Sequence, residues 1–521
     1  MDLRVSNMNG FFKNVKAYFI APFVKDFPFF FTLFLFSSIV DIIAWWLHGE
    51  RLFSIYFGLH GFVLCYILCI FSQSIGCNII RKSYNWLLVF FGCLNVIIDI
   101  SCHIKLHTGF AFDMVGIIMS TNSQEASEFV EFFFDWNIIL CSISVIGLIY
   151  IIQKVLKRNS YIGYKLRYWC IALVLIGVFA TIMKDSKNWG RIYILKPFSL
   201  ASYERPPALK DYYSNILVSV DSTLVPQNVV IIIGESFNKK HSSLYGYEKN
   251  TNPLLKQLQK DSMLYVHKNV QSSGTHTIEC FQKFMTININ ENVKWYEKPS
   301  IIEILQKAGY NVTWISNQSK KGGYDNVVTR YAEICDSMIF VGNHFQGTNR
   351  DVYDEEILKY LPSKQQCEDR KCYIFHLMGS HYVFEKRYPM DFGAFYEKDY
   401  LEFPKGQRAK RATYDNSILY NDSIVNEIIR HFENDDVLIY YFSDHAIDVY
   451  MSSDSYVGHA TSDSTSEYVS KQIPFMMYVS KSYKGKHYEK CENFYNRIDT
   501  TIDMNYFGTL LFRDIGVEFA L

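Results

Sequence analysis

The sequence predicts a multi-span α-helical membrane domain followed by an α/β domain with a largely parallel central sheet. Long apolar runs fill the chain up to about residue 185 of 521, and the rest alternates short apolar runs with amphipathic helices. Such alternation is typical of a parallel sheet with helices on its faces. The charges balance, with 52 basic and 52 acidic residues, which argues against a dominant role in nucleic-acid binding.

Five apolar runs are candidate membrane spans, because an α-helix needs about 20 residues to cross the hydrocarbon core. Soluble domains rarely place so many such runs in succession, and a cleavable signal peptide would not be followed by further runs of the same kind. The candidate spans are Phe27–Leu47, Leu52–Ile75, Tyr84–Ile100, Trp136–Leu156 and Tyr168–Met183.

The charges of the short loops predict the orientation of these spans. Basic residues precede the first span, follow the second, and lie at or between the fourth and fifth, which places these three positions in the cytoplasm. The loop between the third and fourth spans is acidic, so everything after the fifth span is expected outside. The basic residues are Arg4, Lys13, Lys16, Lys25, Arg81, Lys82, Lys154, Lys157, Arg158, Lys165 and Arg167, and the acidic ones are Asp113, Glu125, Glu128, Glu131 and Asp135.

Composition also predicts the domain boundaries. Residues 1–184 form the membrane domain, residues 185–227 a proline-containing connector, and residues 228–521 the outer domain. In the outer domain, Cys367 and Cys372 flank a short polar loop. They are the expected disulfide pair, because an oxidising compartment permits such bonds.

Helices and strands alternate in the outer domain. Ser300–Ala308 is a predicted helix with a serine cap and Gly309 as its stop, and the strand Asn311–Ile315 follows it. Ser417–Phe432 is a longer predicted helix, followed by the strand Val437–Phe442. This order of elements predicts the α/β class.

Three apolar runs end in residue types that can bind a metal. In an open parallel sheet, functional sites gather beyond the carboxyl ends of the strands. A single histidine or glutamate after a strand is more often an ordinary surface residue, but a set from three strands favours a site. Imidazole and carboxylate ligands suit zinc, with manganese as an alternative. Val229–Ile233 precedes Glu235, Tyr373–Met378 precedes His381, and Val437–Phe442 precedes Asp444 and His445, with His459 a short loop beyond.

A loop of small residues that ends at Thr277 runs into a predicted helix at Ile278–Met285. The N–H groups and the dipole of a helix N-terminus favour a bound phosphate. A threonine hydroxyl there becomes an effective nucleophile only if a metal lowers its pKa or a base takes its proton. The loop alone is a weak indication, because a helix cap would have a similar sequence.

Taken together, these residues resemble a known family. The outer half is similar to the alkaline phosphatase and sulfatase superfamily, and the whole chain resembles the phosphoethanolamine transferases that modify lipid A. The similarity extends from the membrane spans to the Asp-His motif. It is carried by residues 228–236 (NVVIIIGES), 244–253 (LYGYEKNTNP), 376–381 (HLMGSH) and 443–445 (SDH), of which the second segment is the most specific.

The resemblance implies an alkaline-phosphatase-like fold for the outer domain and a role for each candidate residue. Thr277 would be the nucleophile that forms a covalent phosphoethanolamine intermediate. Glu235, Thr277, Asp444 and His445 would hold one zinc ion. The other candidates are His381 and His459 for the substrate phosphate or a second zinc ion, Asn317 and Gln318 for the pocket or a turn, and Thr121 and Glu125 for a lipid site.

The resemblance further implies the substrates and the location. Phosphoethanolamine would pass from phosphatidylethanolamine to lipid A or the lipopolysaccharide core, with one or two zinc ions bound. The chain would be a monomer that crosses a bacterial inner membrane several times and has its catalytic domain in the periplasm. Capping a lipid phosphate weakens the attraction of cationic peptides, so polymyxin resistance would follow.

Five positions depart from the family's pattern. Ile117 stands where the family's lipid site has an asparagine, and Ala446 and Ile447 stand where a Gly-Glu pair follows the Asp-His motif. Ser273 and Lys283 stand near the places of a cysteine pair that brackets the nucleophile segment. Loss of the glutamate would remove a partner of the metal ligands. The direct ligands themselves are retained.

Two alternatives stay open. A phosphoglycerol transferase of the lipoteichoic acid synthase type would have similar spans, fold and threonine, although the Tyr-Gly-Tyr segment argues against it. A non-catalytic membrane receptor with the same fold would not need all six candidate site residues. A true sulfatase is excluded, because the chain has no cysteine or serine in a Cys-X-Pro-X-Arg setting from which formylglycine is made.

Overall fold

The computed structural model describes most of the chain in separate stretches. They fall into two compact units, a helical unit described up to residue 158 and an α/β unit described from residue 216. Each unit has its own apolar core. The described residues are 26–48, 53–106, 135–158, 216–288, 293–318, 320, 327–342, 352–363, 369–454, 456–459 and 464–520.

The described part of the helical unit contains four helices. They are α1 (Phe27–His48), α2 (Phe53–Ser74), α3 (Asn78–Leu106) and α4 (Trp136–Arg158). By length and composition, two stretches could cross a membrane: Asn78–Ile104 of α3, and α4 itself. The apolar stretches within α1 and α2 are shorter, and they are Phe27–Val40 and Gly61–Ser74.

The predicted spans agree with these helices in position. The helix α3 begins at Asn78, before the predicted span that starts at Tyr84, and Arg81 in its first turn donates a hydrogen bond to Asn78 Oδ1 (2.8 Å). The number of spans stays a prediction. The predicted fifth span, the two residues of the predicted lipid site and the departure from the family's pattern at Ile117 lie outside the described residues; the first two are Tyr168–Met183, and Thr121 with Glu125.

The α/β unit is built on a seven-stranded sheet. The strands are β1 (Leu217–Val220), β2 (Asn228–Gly234), β3 (Leu264–Val266), β4 (Asn269–Gln271), β5 (Tyr310–Ser316), β6 (Ser337–Phe340), β7 (Arg370–His376), β8 (Val437–Ser443), β9 (Asp448–Val449), β10 (Val457–Gly458), β11 (Phe475–Val479), β12 (Thr501–Asp503) and β13 (Val517–Ala520). The order in the large sheet is β3-β11-β8-β2-β7-β5-β6. The five strands from β8 to β6 run parallel, and β11 is antiparallel to both of its neighbours.

Nine α-helices lie in the described part of this unit. They are α5 (Pro253–Lys260), α6 (Thr277–Phe284), α7 (Ile301–Lys307), α8 (Val327–Glu333), α9 (Lys405–Phe432), α10 (Ser464–Ser470), α11 (Lys481–Lys486), α12 (Tyr488–Tyr495) and α13 (Phe507–Ile515). Short 3-10 helices occur at Lys239–His241, Ser243–Tyr245, Trp295–Glu297, Asp354–Tyr360, Phe384–Lys386, Glu397–Tyr400 and Met504–Tyr506.

The central strand β2 is buried on both faces of the sheet. Val229, Ile231 and Ile233 belong to one apolar core, and Val230 and Ile232 belong to the core on the other side. A strand covered by helices on both faces is apolar throughout instead of alternating. The predicted α/β fold with a largely parallel sheet is confirmed, and its antiparallel strand β11 makes the sheet mixed.

Two predicted helices show what the sequence pattern did and did not reveal. Ser300 caps α7 through a capping box with Glu303, and Gly309 (φ +86°) follows the helix, as predicted. The helix α9 begins at Lys405 instead of Ser417. Its first part was missed because several of the residues buried there are polar, namely Gln407, Arg411 and Asp415, so they form no apolar stripe.

The predicted disulfide between Cys367 and Cys372 is not supported. Cys372 is a free cysteine whose side chain is buried in the core beneath β7. Because Cys372 lies within a central strand, its side chain points into this core. Cys367 lies outside the described residues.

Candidate metal centre

The candidate site lies at the carboxyl edge of the sheet, where four neighbouring parallel strands end level with one another. Gly234 of β2 pairs with Ser443 of β8, and His376 of β7 pairs with both Ile233 of β2 and Ser316 of β5. Residues that follow these strands are therefore neighbours in space although they are far apart in sequence. They include Glu235, Asn317, Gln318, His381, Asp444 and His445.

Three of the predicted ligands form a compact buried group. One ligand atom from each of Glu235, Asp444 and His445 lies within 4.8 Å of the other two. His445 Nε2 is 3.1 Å from Glu235 Oε1 and 3.7 Å from Asp444 Oδ2. All three side chains are 2% exposed or less. The sheet register thus assembles two carboxylates and an imidazole out of contact with solvent.

Thr277 contacts this group from a helix instead of from the end of a strand. It is the first residue of α6, a helix of eight residues. Its Oγ1 donates a hydrogen bond to Glu235 Oε2 (3.0 Å) and lies 3.4 Å from His445 Nε2. The four residues predicted to bind one metal ion are therefore together in the structure.

Burial and mutual attraction shift the pKa values of the three ligands. Burial raises the pKa of Asp444 to about 8, and the adjacent Glu235 carboxylate adds to this rise. Burial opposes ionisation of Glu235 too, but His445 outweighs it and holds the pKa of Glu235 well below its ordinary value. Burial disfavours the imidazolium, yet the two carboxylates raise the pKa of His445 to about 9. Two carboxylates in a dry site thus require a compensating positive charge.

The residues present fit a divalent cation. Asp444 Oδ2 is a buried acceptor without a hydrogen-bond partner among the described residues. A cation between the three ligand atoms would supply its missing partner and take the place of the bound protons. Two carboxylates, one imidazole and the Thr277 hydroxyl offer four ligand atoms, which is the number that zinc usually takes.

His381 and His459 lie beside the three-ligand group instead of within it. The ring centroid of His459 is 4.7 Å from that of His445, and the positive charge of His381 helps to lower the pKa of Glu235. Each of the two rings has a buried Nδ1 without a hydrogen-bond partner among the described residues. Both are therefore available to a further ligand near the cluster.

His276 is a residue of this site that the sequence pattern did not reveal. Its ring meets the ring of His459 edge-on at 4.5 Å, and its Nδ1 lies 2.8 Å from Thr275 Oγ1. Burial lowers the pKa of His276 to about 4, and the charge of His445 adds to this. The one available indication was its place directly before Thr277.

Two backbone positions hold the ligand loops against each other. Gly379 has a φ of +52°, and a Cβ there would lie 2.8 Å from both the N and the O of Glu235. Ser380 N donates to Glu235 O at 2.9 Å. Ser236 has a φ of +58° although it is not a glycine, and its hydroxyl donates to Glu235 Oε1 (2.7 Å) while Tyr414 donates to its carbonyl (2.8 Å). These contacts fix the carboxylate of Glu235.

Asn317 and Gln318 lie at the carboxyl end of β5, as predicted. Asn317 Nδ2 donates to Asp354 Oδ1 at 2.9 Å, and the Asp354 carboxylate accepts hydrogen bonds from the backbone N–H groups of residues 378 and 379. Gln318 Nε2 lies 3.3 Å from His376 Nε2. Both residues therefore support the loop that leads to His381, and their pocket role stays a prediction. Asp354 was missed because no sequence pattern links it to this loop.

The Tyr-Gly-Tyr segment (residues 245–247) is hydrogen-bonded to α9. Asp415, buried in α9, accepts hydrogen bonds from Tyr247 Oη (2.7 Å) and Tyr400 Oη and pairs with His241 Nδ1 (2.6 Å). Gly246 has a φ of +90°, which favours glycine at the turn. The segment thus packs against α9 through Asp415 and contributes no ligand to the group of three.

Two departures from the family's pattern can be placed as well. Ile447 is 1% exposed and packs in the apolar core, so an apolar side chain fills the position where the family has a glutamate. Ala446 N donates to Ser470 O at 2.8 Å, which fixes the backbone after His445.

Comparisons with known proteins agree with this geometry. The sulfatase family profile matches residues 227–511, more than half of the chain. The phosphoethanolamine transferase EptC of Escherichia coli O18:K1:H7 is 28% identical over 424 residues, which is 73% of this chain and 71% of that protein.

Two solved structures are also similar. The C-terminal periplasmic domain of Escherichia coli EptC, crystallised as a complex with zinc, has a TM-score of 0.51 and 25% identity and covers 61% of this chain and 87% of that one. The integral membrane phosphoethanolamine transferase EptA of Neisseria meningitidis has the same fold, with a TM-score of 0.63 at 16% identity over 95% of this chain and 96% of that one. The expected resemblance to phosphoethanolamine transferases is confirmed, and the chain belongs to the sulfatase family.

Proposed function

We propose that this chain is a metal-dependent phosphoethanolamine transferase in which Thr277 carries the transferred group. The observation that carries the proposal is the position of Thr277, at a helix N-terminus with its Oγ1 3.0 Å from Glu235 Oε2. A hydroxyl in contact with a buried cation site can act as a nucleophile, and the helix N-terminus favours the phosphate that it attacks. The similarity to EptC supports phosphoethanolamine as the group.

Glu235, Thr277, Asp444 and His445 would hold one zinc ion. A bound zinc ion would lower the pKa of the threonine hydroxyl and polarise a phosphoryl oxygen. The zinc complex of the similar EptC domain supports zinc over manganese. His381 and His459, each with an available ring nitrogen, would bind the substrate phosphate or a second zinc ion.

The transfer would take two steps. In the first, Thr277 Oγ1 attacks the phosphorus of phosphatidylethanolamine, and the bond from phosphorus to the diacylglycerol oxygen breaks. Glu235 Oε2 accepts a hydrogen bond from this hydroxyl and so orients it for the attack, and the proton of Thr277 ends on the oxygen of the departing diacylglycerol. In the second, a phosphate oxygen of the acceptor attacks the same phosphorus, and Thr277 leaves with a proton from the acceptor.

The donor, phosphatidylethanolamine, and the acceptor, lipid A or the lipopolysaccharide core, meet at the outer surface of an inner membrane. The chain would span that membrane with its residues 1–184 and place residues 228–521 in the periplasm, joined by residues 185–227. The apolar helices α3 and α4 support a membrane domain. Masking of lipid phosphates would make cells resistant to polymyxin.

Mass spectrometry of lipid A from cells that express the wild-type chain or Thr277→Ala tests the proposal. We expect a phosphoethanolamine-sized increment with the wild type and none with the variant, together with lower polymyxin susceptibility of the wild type alone. Equal melting temperatures of both purified proteins would show that the variant folds. A phosphoglycerol-sized increment would favour the alternative transferase, and no increment on lipid A or the core would reject the proposal.

A further inference from the structure

The loop before Thr277 is fastened to α6 by a pair of charged side chains. Lys283 Nζ donates to the Ser273 carbonyl oxygen (2.8 Å) and to Glu279 Oε1 (2.7 Å). The other oxygen of this carboxylate, Glu279 Oε2, accepts a hydrogen bond from Thr275 N (3.3 Å). The pair therefore spans the loop and is called the Lys283–Glu279 tie below.

Packing holds the loop under the same carboxylate. A Cβ at Gly274 would lie 2.3 Å from Glu279 Oε2, so the glycine lets the Glu279 side chain lie directly on the loop backbone. The near end of the loop is anchored separately, because Ser272 N donates to Lys471 O (3.0 Å). The loop is thus fixed at its start by a neighbouring segment and at its end by the tie.

We propose that Glu279 and Lys283 are positioning residues for Thr277. The inference rests on the proposed function. The ligands that Thr277 faces are held by the sheet, whereas Thr277 begins a helix of only eight residues. The contact between Thr277 Oγ1 and Glu235 therefore depends on where the loop holds the start of α6.

A simple surface ion pair would not fix the position of Thr277. Lys283 and Glu279 are 42% and 44% exposed, and exposed pairs at this spacing contribute little to stability. The difference lies in the additional hydrogen bonds from the tie to the backbone at Ser273 and Thr275. Glu467 and Lys471 form a matched pair, with the same spacing, a distance of 2.6 Å and similar exposure. Lys471 contacts the Thr277 loop only through its backbone carbonyl, at Ser272 N, and a substitution of its side chain keeps that contact.

The test measures diacylglycerol release by the full chain from phosphatidylethanolamine with a fluorescent acyl chain, in mixed micelles that also contain lipid A as the acceptor, so that Thr277 is regenerated in each turnover. We expect Lys283→Met to lower kcat by about 10- to 100-fold and to change KM by less than about threefold, because misplacing a reacting group slows the chemical step. Lys283→Arg should restore most of kcat, Glu279→Gln should give an intermediate value, and Lys471→Met should match the wild type. Zinc content and melting temperature are measured for every variant.

The outcomes distinguish failure of the inference about the Lys283–Glu279 tie from failure of the proposed function. If the wild type releases no diacylglycerol, the proposed function fails, and the inference fails with it. If the wild type is active and Lys283→Met keeps its kcat, the inference alone is overturned. A fall of kcat in Lys471→Met equal to that in Lys283→Met, or a loss of folding that Lys283→Arg shares, would assign the effect to general stability and would also overturn it.

Discussion

The two sides of the candidate site are held in place by different means. Glu235, Asp444 and His445 directly follow central strands and are almost completely buried, so the register of the sheet sets their positions. Thr277 begins a short helix, and the loop before it is held by Lys283 and Glu279, which are nearly half exposed. The three metal-binding residues, called the ligand side below, are positioned by the register of the whole sheet. Thr277 with the loop before it, called the Thr277 side, is positioned by a few local contacts.

This difference implies two distinct responses to substitution. A change on the ligand side removes a charge from a buried cluster and should alter metal binding first. A change in the Lys283–Glu279 tie leaves all the proposed ligands in place and should alter the rate at constant metal content. Measuring metal content and kcat on the same variants therefore tells the two sides apart.

The largest effect is expected from Asp444→Asn on the ligand side. The substitution keeps Oδ1, which accepts from His445 N (2.6 Å), but replaces the unpartnered Oδ2 with an amide that cannot bind a cation. Zinc affinity should fall by more than the roughly 10- to 100-fold that loss of an indirect partner costs. Zinc titration of the purified chain, with metal analysis of the protein as isolated, measures this.

Asp354→Asn is the matched control for that variant. Asp354 is also a buried carboxylate at this edge of the sheet, but it accepts hydrogen bonds from the backbone at residues 378 and 379 and is not part of the three-ligand group. We expect it to keep its zinc. Loss of zinc from Asp354→Asn and not from Asp444→Asn would show that the ligands have been assigned wrongly.

A smaller effect is expected from Gly379→Ala, which disturbs the ligand side without removing a ligand. The new Cβ would press on the backbone of Glu235 at 2.8 Å, and the φ of +52° disfavours alanine. The strain should cost about 1–3 kcal/mol and, by moving Glu235, lower kcat by about 10- to 100-fold. Thermal unfolding and diacylglycerol release measure the two effects.

Gly406→Ala provides the comparison for that substitution. Gly406 lies in α9 with open space around its Cβ position, so alanine there should leave kcat unchanged and stability equal or slightly higher. If Gly379→Ala behaved like Gly406→Ala, the ligand side would be more adaptable than the close approach of the two loops indicates.

The ligand side could be predicted from the sequence because its residues follow apolar strands. Glu235, Asp444 and His445 come directly after runs that can only be central strands, and parallel strands bring such residues to one edge. No comparable rule links Lys283 to the carbonyl of Ser273, because that contact depends on how one loop folds back on its helix. The same holds for Asp354, whose partners are backbone N–H groups of another loop.

His445 in the site and His267 away from it respond to pH in opposite ways. In the metal-free chain, the two carboxylates outweigh burial and raise the pKa of His445 to about 9, so its contribution to stability is present below about pH 6.5 and is lost as the pH rises through 9. His267 is buried against Phe475, and burial, followed by the charge of Arg497, lowers its pKa to about 4. Its contribution is therefore present above about pH 6.5 and is lost as the pH falls towards 4.

The smallest predicted effect concerns this loss of stability in acid, which would otherwise be mistaken for titration of the site. Between pH 7 and pH 5, protonation of His267 in the unfolded chain should lower the free energy of unfolding by about 1–2 kcal/mol. His267→Gln has no group that titrates in this range, so its unfolding midpoint should depend less on pH than that of the wild type. Unfolding of the full chain in detergent, followed by tryptophan fluorescence at both pH values, measures the difference. Equal pH dependence in the two proteins would mean that acid acts mainly through the other histidines, including those of the candidate site.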